Sequence, residues 1–306
     1  MNFYPEGTLL ETASNRQHTA SWASLGEAVH TREILEGRVL LCDAEHNLTV
    51  EMPGGLRGII PRAEGALGIE EGSTRDIAIL TRVNKPVSFL VTALTTVAGQ
   101  VTAFLSRRAA QQRCMKEYIE TLPPGQVIPA RVTHLEPFGC FVDLGCGIPS
   151  MIPIDAISVS RIAHPRDRFF VGQNIFAVVR AFEDGRIFLS HKELLGTWEQ
   201  NASLFAPGQT VAGAVRSVES YGIFVELTPN LAGLAEPREG TRCGMHASVY
   251  IKSLLPARMK VKLIIIDAFQ ADYPAAALEY FISGGCIKRW CYSPEGADRL
   301  VETVFS

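Results

Sequence analysis

The chain has 306 residues, with 29 Lys and Arg against 32 Asp and Glu and a net charge of −3, which excludes a uniformly basic nucleic-acid binder. Apolar residues make up 47% and charged residues 20%, enough for a sizeable core and against wholesale disorder, and the length suggests two or three domains. Seven cysteines point to reduced thiols in a cytoplasm rather than a disulfide framework. No apolar run approaches the ~18 residues of a membrane span, and the opening Met1–Glu6 lacks the basic-then-apolar pattern of a signal peptide.

In chain order, residues 1–31 read as a helical lead-in, with Ser21 as the cap of a helix that runs towards Ile34. Residues 32–108 hold short alternating runs such as Leu48-Thr49-Val50-Glu51, and an apolar stretch, Ile77–Leu80, that predicts an added strand. Ser106 to Leu122 carries Ala109, Ala110, Met115 and Ile119 without a glycine and ends at Pro123-Pro124, so a helical connector is expected over 109–122. Residues 123–192 return to strands, with Asp184-Gly185 as a hairpin turn. A second helical connector is expected over 193–205, around Leu194, Leu195 and Trp198. Strands resume over 206–267, and the tail 268–306 is expected to dock Trp290 and Phe305 on the last strand-rich segment and to end in a short helix, Pro294 to Thr303. Charge follows this division: residues 1–105 carry 8 basic and 12 acidic side chains, while 206–267 carry 7 and 5, so the middle of the chain is mildly basic between acidic ends. That permits a polyanionic partner without demanding one.

The strand-rich segments are copies of one another. Gly125-Gln126-Val127 and Phe138-Gly139-Cys140-Phe141-Val142-Asp143-Leu144 recur at an offset of 83 as Gly208-Gln209-Thr210 and Tyr221-Gly222-Ile223-Phe224-Val225-Glu226-Leu227. After a shorter loop the match resumes at an offset of 72, from Gly172 onto Gly244, which puts Arg186 on Arg258. A weaker copy runs from Gly37, with Leu48–Met52 standing where Cys140–Leu144 stands. Several short strands in each copy, with period two, indicate small antiparallel barrels.

The Phe-Gly-x-Phe-Val-x-Leu run and the closing Gly185-Arg186-Ile187-Phe188-Leu189-Ser190 resemble the signature of the S-one RNA-binding domain. The resemblance covers 123–192 and 206–267 and, in divergent form, 32–108, and the whole chain is similar to the short multi-repeat ribosomal S-one proteins of Gram-positive anaerobes. It implies an all-β repeat fold with connecting helices, three tandem five-stranded OB barrels. It also implies single-stranded RNA binding, at the small ribosomal subunit in translation, by Phe138, Phe141 and Arg186 in the middle copy and Tyr221, Phe224 and Arg258 in the last. The family's His falls on Pro153 and Glu236 and its Asp on Phe182 and Leu254, so this chain departs from the pattern there. In the first copy the aromatic positions are His46 and Thr49, and the stacking platform is absent.

Without the resemblance, the residues themselves point the same way less far. If Val142 and Leu144 face a core, Phe141 and Asp143 face out, and Val225, Leu227, Phe224 and Glu226 repeat the arrangement. Two outward aromatics at equivalent positions offer a surface for bases, unless a neighbouring element covers them. The cluster Arg161, His164, Arg166 and Arg168 could meet phosphates or only solvent. Cys243-x-x-His246 is half a zinc motif without a second half, and Cys140 shares the inward parity of Val142. There is no nucleophile elbow, Walker loop or Gly-x-Gly-x-x-Gly, so no enzyme, metal, cofactor or small-molecule substrate is expected. Two readings stay open: capture of single-stranded RNA or mRNA by a cytoplasmic, non-enzymatic protein, or a protein-interaction scaffold or RNA-stability regulator on the same barrels.

Overall fold

In the computed structural model fifteen strands close into three barrels of five strands each, with burial alternating along runs such as Leu48–Glu51 and Leu231–Ala235. The structure describes residues 3–97, 99–183, 185–271 and 278–306; Asp184 of the expected hairpin turn lies outside them. By its contacts the chain divides into two units, Met1–Leu122 with Asp143–Pro149, and Pro123–Val142 with Ser150–Ser306.

In the first unit, α1 (Ala13–His18) and α2 (Trp22–Thr31) precede the barrel. Ser21 caps α2 as the sequence suggests: its hydroxyl accepts from Ser24 N while the Ser24 side chain accepts from Ser21 N. The strands β1 (Leu35–Cys42), β2 (Leu48–Glu51), β3 (Arg57–Ile60), β4 (Pro86–Val97) and β5 (Gln100–Ser106) close in the order β1-β2-β3-β5-β4. Leu48 and Val50 of β2 point into the core beside Phe89 and Leu105, and Leu25 and Ala28 of α2 join the same cluster.

The expected extra strand at 77–80 is instead one turn of helix, α3 (Ile77–Leu80), with Ile79 buried in the barrel's cluster. A four-residue apolar run does not distinguish helix from strand by period, and a closed barrel leaves no edge for a sixth strand. The connector helix α4 (Arg107–Glu117) starts where expected, with Ser106 Oγ accepting from Ala109 N at 2.8 Å.

In the second unit, the middle barrel is built from β6 (Val127–Glu136), β7 (Gly139–Asp143), β8 (Pro149–Pro153), β9 (Asn174–Glu183) and β10 (Arg186–Ser190). The last is built from β11 (Thr210–Glu219), β12 (Gly222–Thr228), β13 (Leu231–Ala235), β14 (His246–Leu255) and β15 (Lys260–Phe269). Both share the topology of the first: antiparallel neighbours with one parallel contact closing the barrel, β8 with β10 and β13 with β15.

The connector between them is shorter in helix than its apolar content suggests. Only α5 (Trp198–Ala202) is α-helical, capped by Thr197 and Gln200, after a 3-10 turn at Lys192–Leu195. Gly196 separates the two at φ +84°, where an added Cβ would strike the Phe281 ring at 2.6 Å.

The tail departs from expectation. No helix forms over 294–303; Glu302–Val304 (β17) instead pairs with Arg289–Cys291 (β16), and Ser293 Oγ closes the intervening loop on Arg299 O and Val301 N. Gly296 sits at φ +74° inside the expected helix, a conformation that helix residues do not adopt. Trp290 and Tyr292 pack into the last barrel's cluster with Trp198. Phe305 joins Val127, Val178 and Leu194 of the middle barrel and its following turn instead.

Candidate nucleic-acid interface

The Phe-Gly-x-Phe run folds as it does because of its glycine. In the middle barrel β6 and β7 meet in the turn Pro137-Phe138, and Gly139 then runs so close to β8 that an added Cβ would lie 2.7 Å from Ile152 O. Gly222 repeats this against Ala235 O at 2.8 Å. The close approach fixes the strand, so the aromatic before the glycine and the one two residues after it share a side. Phe138 and Phe141 meet edge to face with centroids 6.0 Å apart and planes at 86°, and Tyr221 and Phe224 repeat the pair at 6.2 Å and 86°. Phe138 is 57% and Tyr221 66% exposed, while Phe141 and Phe224 are half-buried beneath them. An edge-to-face pair leaves one ring face open, the arrangement that accepts a stacked base.

The core residues hold as the parity requires. Val142, Leu144, Val225 and Cys140 are buried, and burial pushes the Cys140 thiol up to about 12, which makes it an inert core residue. The outward carboxylates differ from expectation, because both are covered. Glu226 receives Arg216 through two hydrogen bonds of 2.9 Å and is also paired with Arg168. Asp143 accepts from Glu6 N at 2.7 Å and from the Gly145 and Gly147 amides, and burial, with Glu6 beside it, pushes its carboxyl above the ordinary range.

The basic residues also need correction. Arg186 is exposed at the start of β10. Strand pairing aligns Ser190, opposite Val178, with Ile264, opposite Tyr250, so the residue equivalent to Arg186 is Lys260, not Arg258. The hairpin joins Glu183 to Arg186 across two residues but Leu255 to Lys260 across four, and the constant offset slips by two. Arg258 lies in that longer turn, its Nε 3.8 Å from Asp298. Of the loop cluster, Arg168 is buried against Glu226 and so withdrawn from any phosphate, and Arg166 leans its Nε on His164 Nδ1 at 3.2 Å.

The first barrel offers no counterpart. His46 stands in the β1–β2 turn at φ +65° with Nδ1 3.4 Å from Asp76, and Thr49 takes the place of Phe141. Two side chains of the middle barrel escaped the sequence reading. His134 lies 6.2 Å from the Phe141 ring, and Phe188 of β10 is 47% exposed. The parity of Ile187 and Leu189, both buried, marks Phe188 as outward just as Val142 marks Phe141. Among the described residues no group of three or more His, Cys, Asp and Glu could hold a metal ion, and no helix is long and apolar enough to cross a membrane.

Residues 121–192 match the family model of the S1 RNA binding domain. The chain carries an S1 RNA-binding domain. It is similar to the small ribosomal subunit protein bS1 homolog of Bacillus subtilis, 32% identical over 221 residues, which cover 70% of this chain and 55% of that protein. It is 26% identical over 276 residues to small ribosomal subunit protein bS1 of Rhodopseudomonas palustris, covering 87% of this chain and 46% of that one. The protein of the same name from Neisseria meningitidis is 29% identical over 269 residues, covering 84% and 46%. The chain is thus a relative of the bS1 proteins and spans about half the length of those it matches. The resemblance first read from Phe138–Leu144 and Gly185–Ser190 stands, and so does the fold class of tandem five-stranded barrels.

Proposed function

We propose that this chain binds single-stranded RNA without catalysis, through its middle and last barrels, and captures mRNA at the small ribosomal subunit in the cytoplasm. The observation that carries the reading is the recurrence of one exposed edge-to-face aromatic pair, Phe138–Phe141 and Tyr221–Phe224, at the same place in two barrels. Phe141 and Phe224 stack bases beneath Phe138 and Tyr221, and Arg186 and Lys260 meet backbone phosphates. Arg258, in the turn between β14 and β15, contributes from the periphery. The S1 domain match and the bS1 relatives support RNA and the ribosome as partners. Two barrels on one chain raise avidity through effective concentration, which suits a protein of low net charge.

The test is a titration of the full chain with a fluorescent oligouridylate, against the double variant Phe141→Ala, Phe224→Ala. Loss of most of the affinity in a folded double variant is expected, and unchanged affinity would remove the reading. A scaffold role has one specific observation in its favour, confined to the first barrel. There the residues in the places of His134, Phe141, Met151 and Phe188 are Leu41, Thr49, Ile59 and Phe104, a mostly apolar strip with Leu41 exposed and a threonine where the stacking ring would stand. RNA binding is therefore assigned to the other two barrels only.

A further inference from the structure

The outward face of each barrel carries a row of side chains across three adjacent strands, and its third member is a phenylalanine in the first and middle barrels, Phe104 and Phe188, but a lysine in the last. In the last barrel Phe224 pairs with Leu234, and Leu234 with Lys262. In the middle barrel Met151 pairs with Phe188, and the offset of 83 that relates Phe224 and Leu234 to Phe141 and Met151 completes the row. The residue beside Phe188 on β9 is Ala181, too small to cover the ring. Neighbouring strands lie about 4.8 Å apart, so Phe188 stands roughly 10 Å from Phe141, with the flexible, polarizable Met151 as the floor between them. Lys262 is exposed between the buried Val261 and Leu263.

Resting on the RNA-binding reading above, we infer that this third position distinguishes what the middle and last barrels read: Phe188 stacks an additional base, and Lys262 holds a backbone phosphate. The middle barrel then works chiefly through bases and depends little on salt. The last barrel trades one stack for one ion contact, and its share of the affinity falls as counterions compete.

The full chain is titrated with a short oligouridylate, and with an abasic chain of the same length, over a range of salt. Phe188→Ala is expected to lose roughly 5- to 150-fold in affinity for the oligouridylate. Its dependence on salt stays the same, and its affinity for the abasic chain is unaltered. Lys262→Ala is expected to weaken both ligands and to make the slope of log K against log salt shallower by about 0.7. Phe188→Leu keeps the apolar bulk without an aromatic face and shows the same loss as Phe188→Ala, which guards against a folding defect. Retention of full affinity by Phe188→Ala while Phe141→Ala loses it would overturn this inference and leave the RNA-binding reading intact. Full affinity in all three, Phe141→Ala, Phe224→Ala and Phe188→Ala, would overturn both. An equal loss by Phe188→Ala on the abasic chain, or full rescue by leucine, would show that the ring supports the fold or a protein contact rather than a base.

Discussion

Truncating Phe141 separates a binding surface from a core. The ring is half-buried, meets Phe138 edge to face at 6.0 Å, and has His134 at 6.2 Å. A fully buried Phe costs about 3–5 kcal/mol on truncation. A half-buried one on the outward side opens no core cavity, so its loss reduces to part of that burial and an aromatic contact of about 0.5–1.5 kcal/mol. A stability loss of about 1–2 kcal/mol is therefore expected for Phe141→Ala, read from the urea midpoint. The same variant, and Phe224→Ala, should weaken oligouridylate binding by about 1–3 kcal/mol each, one base stack, read by fluorescence anisotropy on the folded protein. Val142→Ala and Val225→Ala reverse the pattern. Both side chains are fully buried, so each should cost about 2 kcal/mol of stability with affinity unchanged. A Phe141→Ala protein that loses stability as a core residue would, but binds RNA like the wild type, refutes the stacking argument.

Three exposed cations, Arg186, Lys260 and Lys262, lie on β10 and β15, the strands assigned to the RNA-binding face, so log K against log salt should fall with a slope of about −2; a slope near −6 would mean an interface built on phosphates. Arg168→Met should destabilise the second unit by stripping one partner from buried Glu226, while leaving that slope unchanged, because Arg168 faces Glu226 and not solvent; a shallower slope would return it to the interface. His191 is fully buried, with Nδ1 donating to Ile157 O at 2.8 Å and Nε2 3.1 Å from the Tyr280 hydroxyl, and burial pulls its pKa from 6.5 down to about 4. A depressed His stabilises fully above the unfolded pKa and loses that contribution as pH falls from about 6.5 to 4, by about 3 kcal/mol in total. The difference in urea midpoint between wild type and His191→Phe should change across that window and stay flat above it; a difference independent of pH would show that the ring does not titrate with folding.

The strands and their inward faces were legible because period two is a local property. Leu48 and Val50, Val142 and Leu144, and Val225 announce a core without knowledge of what lies opposite, while Leu227, expected inward with Val225, is only half-buried where the pairing with β13 shifts register. The same parity was available at Phe188 between Ile187 and Leu189, so that ring was readable and was hidden only by its place in a motif noted for its basic residue. Asp143 and Glu226 show the limit of parity. It states which way a side chain points, not whether Arg107 with Glu6, or Arg168, will come from elsewhere in the chain to cover it. Ile77–Leu80 shows a second limit, since whether an apolar run joins a sheet depends on whether the sheet has an edge left to join.

The slip from Arg258 to Lys260 has a consequence for the interface as well as for the alignment. An internal repeat conserves strands because each must fill the same barrel position, but a hairpin loop at the rim is free to lengthen, since each added residue costs little loop entropy. Residues before the loop keep the offset of 72, those after it take 74, and the cation nearest the loop is the one most easily misplaced. Counted from the paired strands, Lys260 and Lys262 both project from β15, two residues apart and on the same face, where Arg186 and Phe188 project from β10. The last barrel thus presents two cations where the middle one presents a cation and a ring. The difference in chemistry between the two faces follows from strand register alone, and the longer turn carrying Arg258 stands outside it, facing Asp298.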